Sequence, residues 1–190
     1  YIGMLLKEIS LNCFSKNPIL VFTSDHGDGA PVHKWASKNS LYEESAKVPL
    51  FVIYPGKIKK NQVSSNIVTL ADLVPTFCDY ASIRTDLNFA GKSLRPLIEG
   101  KLSSLHESII VELADYKPDT TRLGRMVRTE RFKYNYFTSG NFNEQFFDLM
   151  NDPGEKRNLA YDPEFREEIE SHRQILRNWI RERGSNMKFE

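Results

Sequence analysis

The residues best equipped for chemistry sit in one stretch, Thr23-Ser24-Asp25-His26-Gly27-Asp28-Gly29-Ala30-Pro31-Val32-His33-Lys34-Trp35-Ala36-Ser37-Lys38. From Asp25 to Lys38 it offers two histidines, two aspartates and two lysines, more than a polar turn requires. Asp25 and His26 are adjacent, so on a regular strand they would point to opposite faces. Gly27 and Gly29 let the backbone turn at once. A carboxylate and an imidazole turned to a common point make half of a metal site. Half is the limit, because a divalent cation takes about four to eight donors. The competing reading of Ser24-Asp25-His26-Gly27 is a polar turn in which Asp25 only caps. His33 and Lys38 on the same loop tilt the choice toward a site.

Such a loop needs elements to hold it. It begins where Ile19-Leu20-Val21-Phe22-Thr23 ends. That continuous apolar run predicts a strand covered on both faces, as in a parallel sheet under helices. Leu50-Phe51-Val52-Ile53-Tyr54 repeats the character and stops at Pro55-Gly56. In open α/β sheets ligands gather outside the carboxyl ends of strands. Ile2, Leu5, Leu6, Ile9 and Cys13 share a helical face. Leu70, Leu73, Val74, Phe77, Cys78 and Ala81 share another, with Pro75 tolerable only in the first turn. Beyond residue 100 the texture changes to short strands over 108–113, 125–129, 132–137 and 145–149, separated by turn residues. These predict an antiparallel sheet. Asp162-Pro163-Glu164 then opens a last helix, with Phe165, Ile169, His172, Leu176, Trp179 and Ile180 on its apolar face. His172 there reads as a packed core residue. Arg122, Arg125 and Arg128 either reach an anionic substrate or pair within the sheet.

Composition narrows the class. The chain has 190 residues, with 26 Lys plus Arg against 25 Asp plus Glu, a net charge of +1. That balance argues against nucleic acid as a partner. Apolar residues at 40% and charged residues at 27% exclude wholesale disorder. No apolar run approaches the ~20 residues of a membrane span. Cys13 and Cys78 form neither a disulfide framework nor a metal knuckle and read as buried thiols. Tyr1-Ile2-Gly3-Met4-Leu5-Leu6 opens inside an amphipathic pattern, so we expect a piece of something longer.

The motifs taken together resemble a family. Phe22-Thr23-Ser24-Asp25-His26-Gly27-Asp28, then His33, Trp35 and Lys38, then Tyr42-Glu43-Glu44-Ser45, Val48-Pro49-Leu50 and Pro55-Gly56 resemble the second half of the formylglycine-dependent sulfatases, of the alkaline phosphatase superfamily. Ala71-Asp72-Leu73-Val74-Pro75-Thr76-Phe77 resembles a helix of that family, and Gly91-Lys92-Ser93-Leu94-Arg95-Pro96-Leu97 its following loop. Arg128-Thr129-Glu130-Arg131-Phe132-Lys133-Tyr134, Phe147 to Glu155 and Asn158-Leu159 resemble the C-terminal subdomain of bacterial members.

The resemblance implies that Asp25 and His26 are two ligands of one divalent cation, Ca2+ by family, that holds the sulfate. Many members carry Asn at the place of His26, which keeps zinc and manganese open. Lys38 would be catalytic and substrate-binding, donating to a sulfate oxygen or to the nucleophile, a role that suits a compact ammonium. His33 would be catalytic and substrate-binding on the leaving-group side. Trp35 would wall the pocket or stack on a sugar. Tyr42, Glu43, Glu44 and Ser45 would support the loop. The family's nucleophile is a Cys converted to formylglycine inside Cys-x-Pro-Ser-Arg. Neither Cys13 nor Cys78 stands in that motif, so it is expected upstream.

The expected fold is α/β: the C-terminal part of an alkaline-phosphatase-like sandwich, a mostly parallel sheet with flanking helices, plus a small antiparallel sheet with a terminal helix. Residues 1–110 would be the C-terminal part of the catalytic α/β domain without its N-terminal half. Residues 111–190 would be the antiparallel-sheet-plus-helix subdomain. The expected activity is sulfate-ester hydrolysis on carbohydrate sulfates, this chain supplying part of the metal and sulfate site but not the nucleophile. The expected partners are a small-molecule or oligosaccharide sulfate ester and the missing N-terminal half, in cis or as a separate chain. The family favours a periplasmic or secreted location. Two other readings stay open. One is a metal-dependent phosphodiesterase or phosphonate hydrolase of the same superfamily, the other a non-catalytic binding module.

Overall fold

The computed structural model describes residues 1–12, 17–29, 33–34, 38–117 and 120–183, side chains at 115–117 and 120–122 excepted. Cys13, Trp35 and Gly184 lie outside the described residues. The chain runs through α1 (Ile2–Leu11), β1 (Leu20–Thr23), α2 (Glu43–Ala46), β2 (Leu50–Ile53), α3 (Leu73–Tyr80) and α4 (Arg95–Ile98). Then come β3 (Ser108–Lys117), β4 (Thr120–Thr129), β5 (Phe132–Phe137), β6 (Glu144–Asp148) and α5 (Arg166–Arg183).

β1 and β2 pair with each other, antiparallel, Leu20 opposite Ile53 and Thr23 opposite Leu50. This corrects the mostly parallel sheet expected from the two apolar runs. Continuous apolarity signals cover on both faces and says nothing of strand direction. A parallel partner needs a crossover, usually a helix, that carries the chain back along the sheet. Among its described residues, the connection from Thr23 to Leu50 has one four-residue helix, α2. The chain therefore re-enters at the end it left. Phe22, Phe51 and Ile53 of this small sheet are exposed, as are Ile2, Met4, Leu5, Leu6 and Leu11 of α1.

The second sheet is antiparallel in the order β3-β4-β5-β6. All six residues of β5 are buried, so both faces of that strand are covered. Side chains alternate along a strand. Phe132, Tyr134 and Tyr136 join Val127, Phe146, Leu159, Ile169 and Leu176 in a core beneath α5. Each fully buried ring or leucine there contributes roughly 1.5–3 kcal/mol. Lys133 and Phe137 fall on the other face, where Phe137 and Met126 pack on Leu41. β5 is thus a wall between α5 and the segment leading into α2. At the entry to α5, Asp162 accepts a hydrogen bond from Glu164 N at 3.1 Å, ahead of the buried Ile169, His172 and Leu176.

α3 is entered through a 3-10 turn at Leu70–Asp72, which puts Pro75 in the first helical turn. Fully buried Asp72 accepts from Thr69 N (2.9 Å), Lys92 N (2.8 Å) and His106 Nε2 (3.0 Å). It fastens the loop before α4 to the helix.

Candidate functional site

The loop leaving β1 folds back through its own side chains. Ser24 Oγ donates to His26 O at 2.7 Å, and His26 N donates to Asp25 Oδ1 at 2.9 Å. The turn brings Asp25 Oδ2 within 3.4 Å of His26 Nε2, with the Asp25 side chain 83% exposed and that of His26 40%. His26 Nδ1 lies 2.6 Å from Gly27 O. A carbonyl only accepts, so Nδ1 carries a hydrogen and Nε2 is the nitrogen left facing Asp25. The hydrogen bond from His26 N is the largest cause holding the Asp25 carboxyl below its ordinary range.

Those two atoms fit an edge of a cation site. Two donors at right angles about a cation at ~2.4 Å stand roughly 3.4 Å apart. An imidazole whose other nitrogen donates to a backbone carbonyl is the usual arrangement for a ligating histidine. Among the described residues no group of three or more His, Cys, Asp or Glu could hold a metal. The edge therefore needs donors beyond this pair.

Gly27 holds the loop down. Its requirement is close approach rather than the backbone freedom a glycine suggests. A Cβ there would lie 1.8 Å from Glu44 O, and Gly27 N donates to Ser45 O at 2.9 Å. The metal-type edge is thus seated on the backbone of α2.

His33 goes elsewhere. Its Nδ1 lies 2.9 Å from Glu44 Oε1 and its Nε2 3.2 Å from the Glu155 carbonyl oxygen. Its ring stacks on Tyr42, centroids 3.8 Å apart and planes 5° from parallel. Among the described residues no hydrogen bond or ion pair joins it to Asp25, His26 or Lys38. Lys38 is exposed, and its ammonium has no hydrogen-bond or ion-pair partner among the described residues. Arg125 and Arg128 pair within the fold. Arg125 Nη2 reaches Glu112 Oε1 at 2.6 Å, and Arg128 Nε lies 3.7 Å from Glu43 Oε1.

Beneath the loop lies a charge cluster that the sequence reading missed. Lys133, fully buried, places Nζ 2.7 Å from Glu43 Oε1, 2.8 Å from Glu155 Oε1 and 3.0 Å from Leu41 O. Glu43 N donates to Glu155 Oε2 at 2.6 Å. One ammonium serves two carboxylates, and they respond differently. Burial pushes the Glu43 carboxyl up, but Lys133 with Arg128 outweighs it and holds the group below its usual range. At Glu155 burial wins over Lys133, and the carboxyl sits above its usual range. Two signals were available: the alternation in Phe-Lys-Tyr-Asn-Tyr-Phe, which sets Lys133 opposite the aromatic face, and the Asp152-Pro153-Gly154 turn just before Glu155.

Comparison with known proteins gives a consistent picture. A family model described as N-sulphoglucosamine sulphohydrolase, C-terminal, matches residues 31–182. The Delta 4,5-hexuronate-2-O-sulfatase of Bacteroides thetaiotaomicron is 34% identical over 183 residues, 94% of this chain and 38% of that protein. A solved 2-O GAG sulfatase superposes with a TM-score of 0.89 at 32% identity, covering 100% of this chain and 42% of that one. A structure solved with its substrate D-glucosamine-2-N,6-O-disulfate gives 0.87 at 27% identity, over 97% of this chain and 38% of that one. The chain spans about two fifths of the length of these relatives.

Proposed function

The chain belongs to the sulfatase family of the alkaline phosphatase superfamily, matching its C-terminal portion, and on that premise we propose that the whole protein hydrolyses carbohydrate sulfate esters. This chain supplies part of the cation and sulfate site. The observation that carries the reading is the Asp25–His26 edge, 3.4 Å wide, with its imidazole oriented by Gly27 O.

Asp25 and His26 would hold a divalent cation, Ca2+ by family, completed by donors from outside this chain. When bound, that ion neutralises and orients the sulfate oxygens. Lys38, exposed and without a partner among the described residues, offers its ammonium to a sulfate oxygen. There it favours the charge-rich transferring group electrostatically. The formylglycine nucleophile would come from the rest of the protein. The exposed apolar faces of α1 and of the β1–β2 sheet support a place for that remainder to pack. The names of the relatives, a hexuronate 2-O-sulfatase and a glucosamine disulfate complex, favour a sulfated sugar. A periplasmic or secreted location goes with that substrate.

The test uses the full-length protein on a 2-O-sulfated uronide, an aryl sulfate and an aryl phosphodiester. Turnover of a sulfate is expected. Turnover of the phosphodiester alone would move the protein to the phosphonate and phosphodiester hydrolases, and turnover of none would make it a binding module. Asp25→Ala should lose bound calcium and activity together; full calcium stoichiometry in that variant removes Asp25 from the ligand set.

A further inference from the structure

We propose that His33 is a positioning residue, clamped between α2 and the turn after β6, through which the C-terminal sheet fixes the loop that carries Asp25, His26 and Lys38. The proposal deepens the sulfatase reading and rests on it.

The geometry leaves His33 no nitrogen for a substrate. Glu44 Oε1 at 2.9 Å and Glu155 O at 3.2 Å are both acceptors. The Nε2 hydrogen goes to the Glu155 carbonyl, and a second proton lies between Nδ1 and the Glu44 carboxylate. One ring face is covered by Tyr42, and the side chain is 11% exposed. A group transferring protons to a leaving oxygen needs an open nitrogen within about 3 Å of it.

The anchor for that clamp is itself held firmly. Glu155 is a non-glycine residue at φ +50°. A left-handed backbone persists at such a residue only when its surroundings over-determine it. Here they do. Its carboxylate accepts from Glu43 N and faces the Lys133 ammonium, while its carbonyl faces His33. Lys133 in turn sits on β5, the wall strand. The loop is therefore pinned at two points on one cluster: early, where Gly27 N donates to Ser45 O, and late, at His33. Lys38 follows five residues after the late pin.

The experiment uses the full-length protein with His33→Phe, which keeps a ring to stack on Tyr42 but loses both bonds, and Glu44→Leu as a second break in the same link. Glu44→Gln is the rescue, since its amide can turn to donate to Nδ1 while Nε2 still donates to Glu155. We expect the two breaking variants to bind calcium about 10- to 100-fold more weakly and to lose kcat by a similar factor. KM and both limbs of the pH–rate profile should be kept, and Gly27 amide exchange should be faster. Glu44→Gln should stay near wild type in all five. A lost limb in His33→Phe with calcium affinity intact would make His33 a proton donor and overturn the proposal. Wild-type calcium affinity, kcat and Gly27 exchange in both breaking variants would overturn it as well. Wild-type protein that neither binds calcium nor cleaves a sulfate would instead sink the sulfatase reading, while the exchange of Gly27 still decides the clamp.

Discussion

Replacing Lys133 by methionine removes the one ammonium that buried Glu155 and partly buried Glu43 share and leaves a side chain of similar length in its place. With Nζ gone, Glu43 Oε1 and Glu155 Oε1 face each other from positions 2.7 and 2.8 Å from its former site. Two unit charges at most about 5.5 Å apart at an effective dielectric of about 20 repel by about 3 kcal/mol or more. Breaking a buried ion pair by removing one partner costs about 3–5 kcal/mol. Arg128, 3.7 Å from Glu43, offsets a share, so a loss of about 3 kcal/mol is expected at neutral pH. The assay is the denaturant midpoint of the full-length protein at about pH 7.5 and about pH 5. The pH adds a signed check. Burial already holds the Glu155 carboxyl above its ordinary range, and losing the ammonium raises it further. A raised carboxyl binds more protons folded than unfolded, so lowering the pH through that window restores stability. The penalty of Lys133→Met should therefore shrink at the lower pH, and Glu155→Gln added to it should recover part of the loss. A penalty below about 1 kcal/mol, or one equal at both pH values, would refute the account of the cluster.

Gly27→Ala must move the loop off α2, because its Cβ would meet Glu44 O at 1.8 Å. A misplacement of about 1 Å costs about 10²-fold in rate, so kcat should fall by that order in protein that still folds; an unchanged kcat would free the loop from this contact. Lys38→Ala should lower kcat by about 10²-fold or more, and an unchanged rate would make Lys38 structural. His172 is held below the ordinary histidine value, first by burial. It stays neutral with Nδ1 2.7 Å from Glu168 O and Nε2 3.1 Å from Thr129 Oγ1. The unfolded chain takes up that proton first, so stability should fall as pH drops below about 6.5. His172→Gln should flatten the slope in melting temperature there, and an equal slope would assign it to another group.

What the sequence disclosed depended on how local each signal was. The acid–imidazole turn could be read because Ser24, Asp25, His26 and Gly27 satisfy one another within four residues. The terminal helix could be read because its cap and apolar stripe are contiguous, and His172 lies buried on that stripe. The direction of β1 against β2 was illegible, since an apolar run carries no polarity of its own. Lys133 was missed for the same kind of reason. A lysine in a strand reads as solvated until Leu41 and Glu43, some ninety residues earlier, are known to lie over it. The partners of His33 were illegible because they lie 11 and 122 residues away. Arg125 and Arg128 turned out to serve Glu112 and Glu43.

The reach of the His33–Glu155 bond sets a timetable for biosynthesis. A ribosome adding about 5–20 residues per second finishes the loop roughly 6 to 24 s before it makes the turn that receives it, since 122 positions separate the two. Through most of that interval Glu43, made early, also waits for Lys133. The four strands from β3 to β6, joined in order by hairpins, can close on themselves as soon as they emerge, and the turn that follows them then brings His33 its second acceptor. A nascent protein stalled or truncated before Glu155 would carry every side chain of the Asp25–Lys38 stretch and still lack the acceptor that holds His33 from the far side.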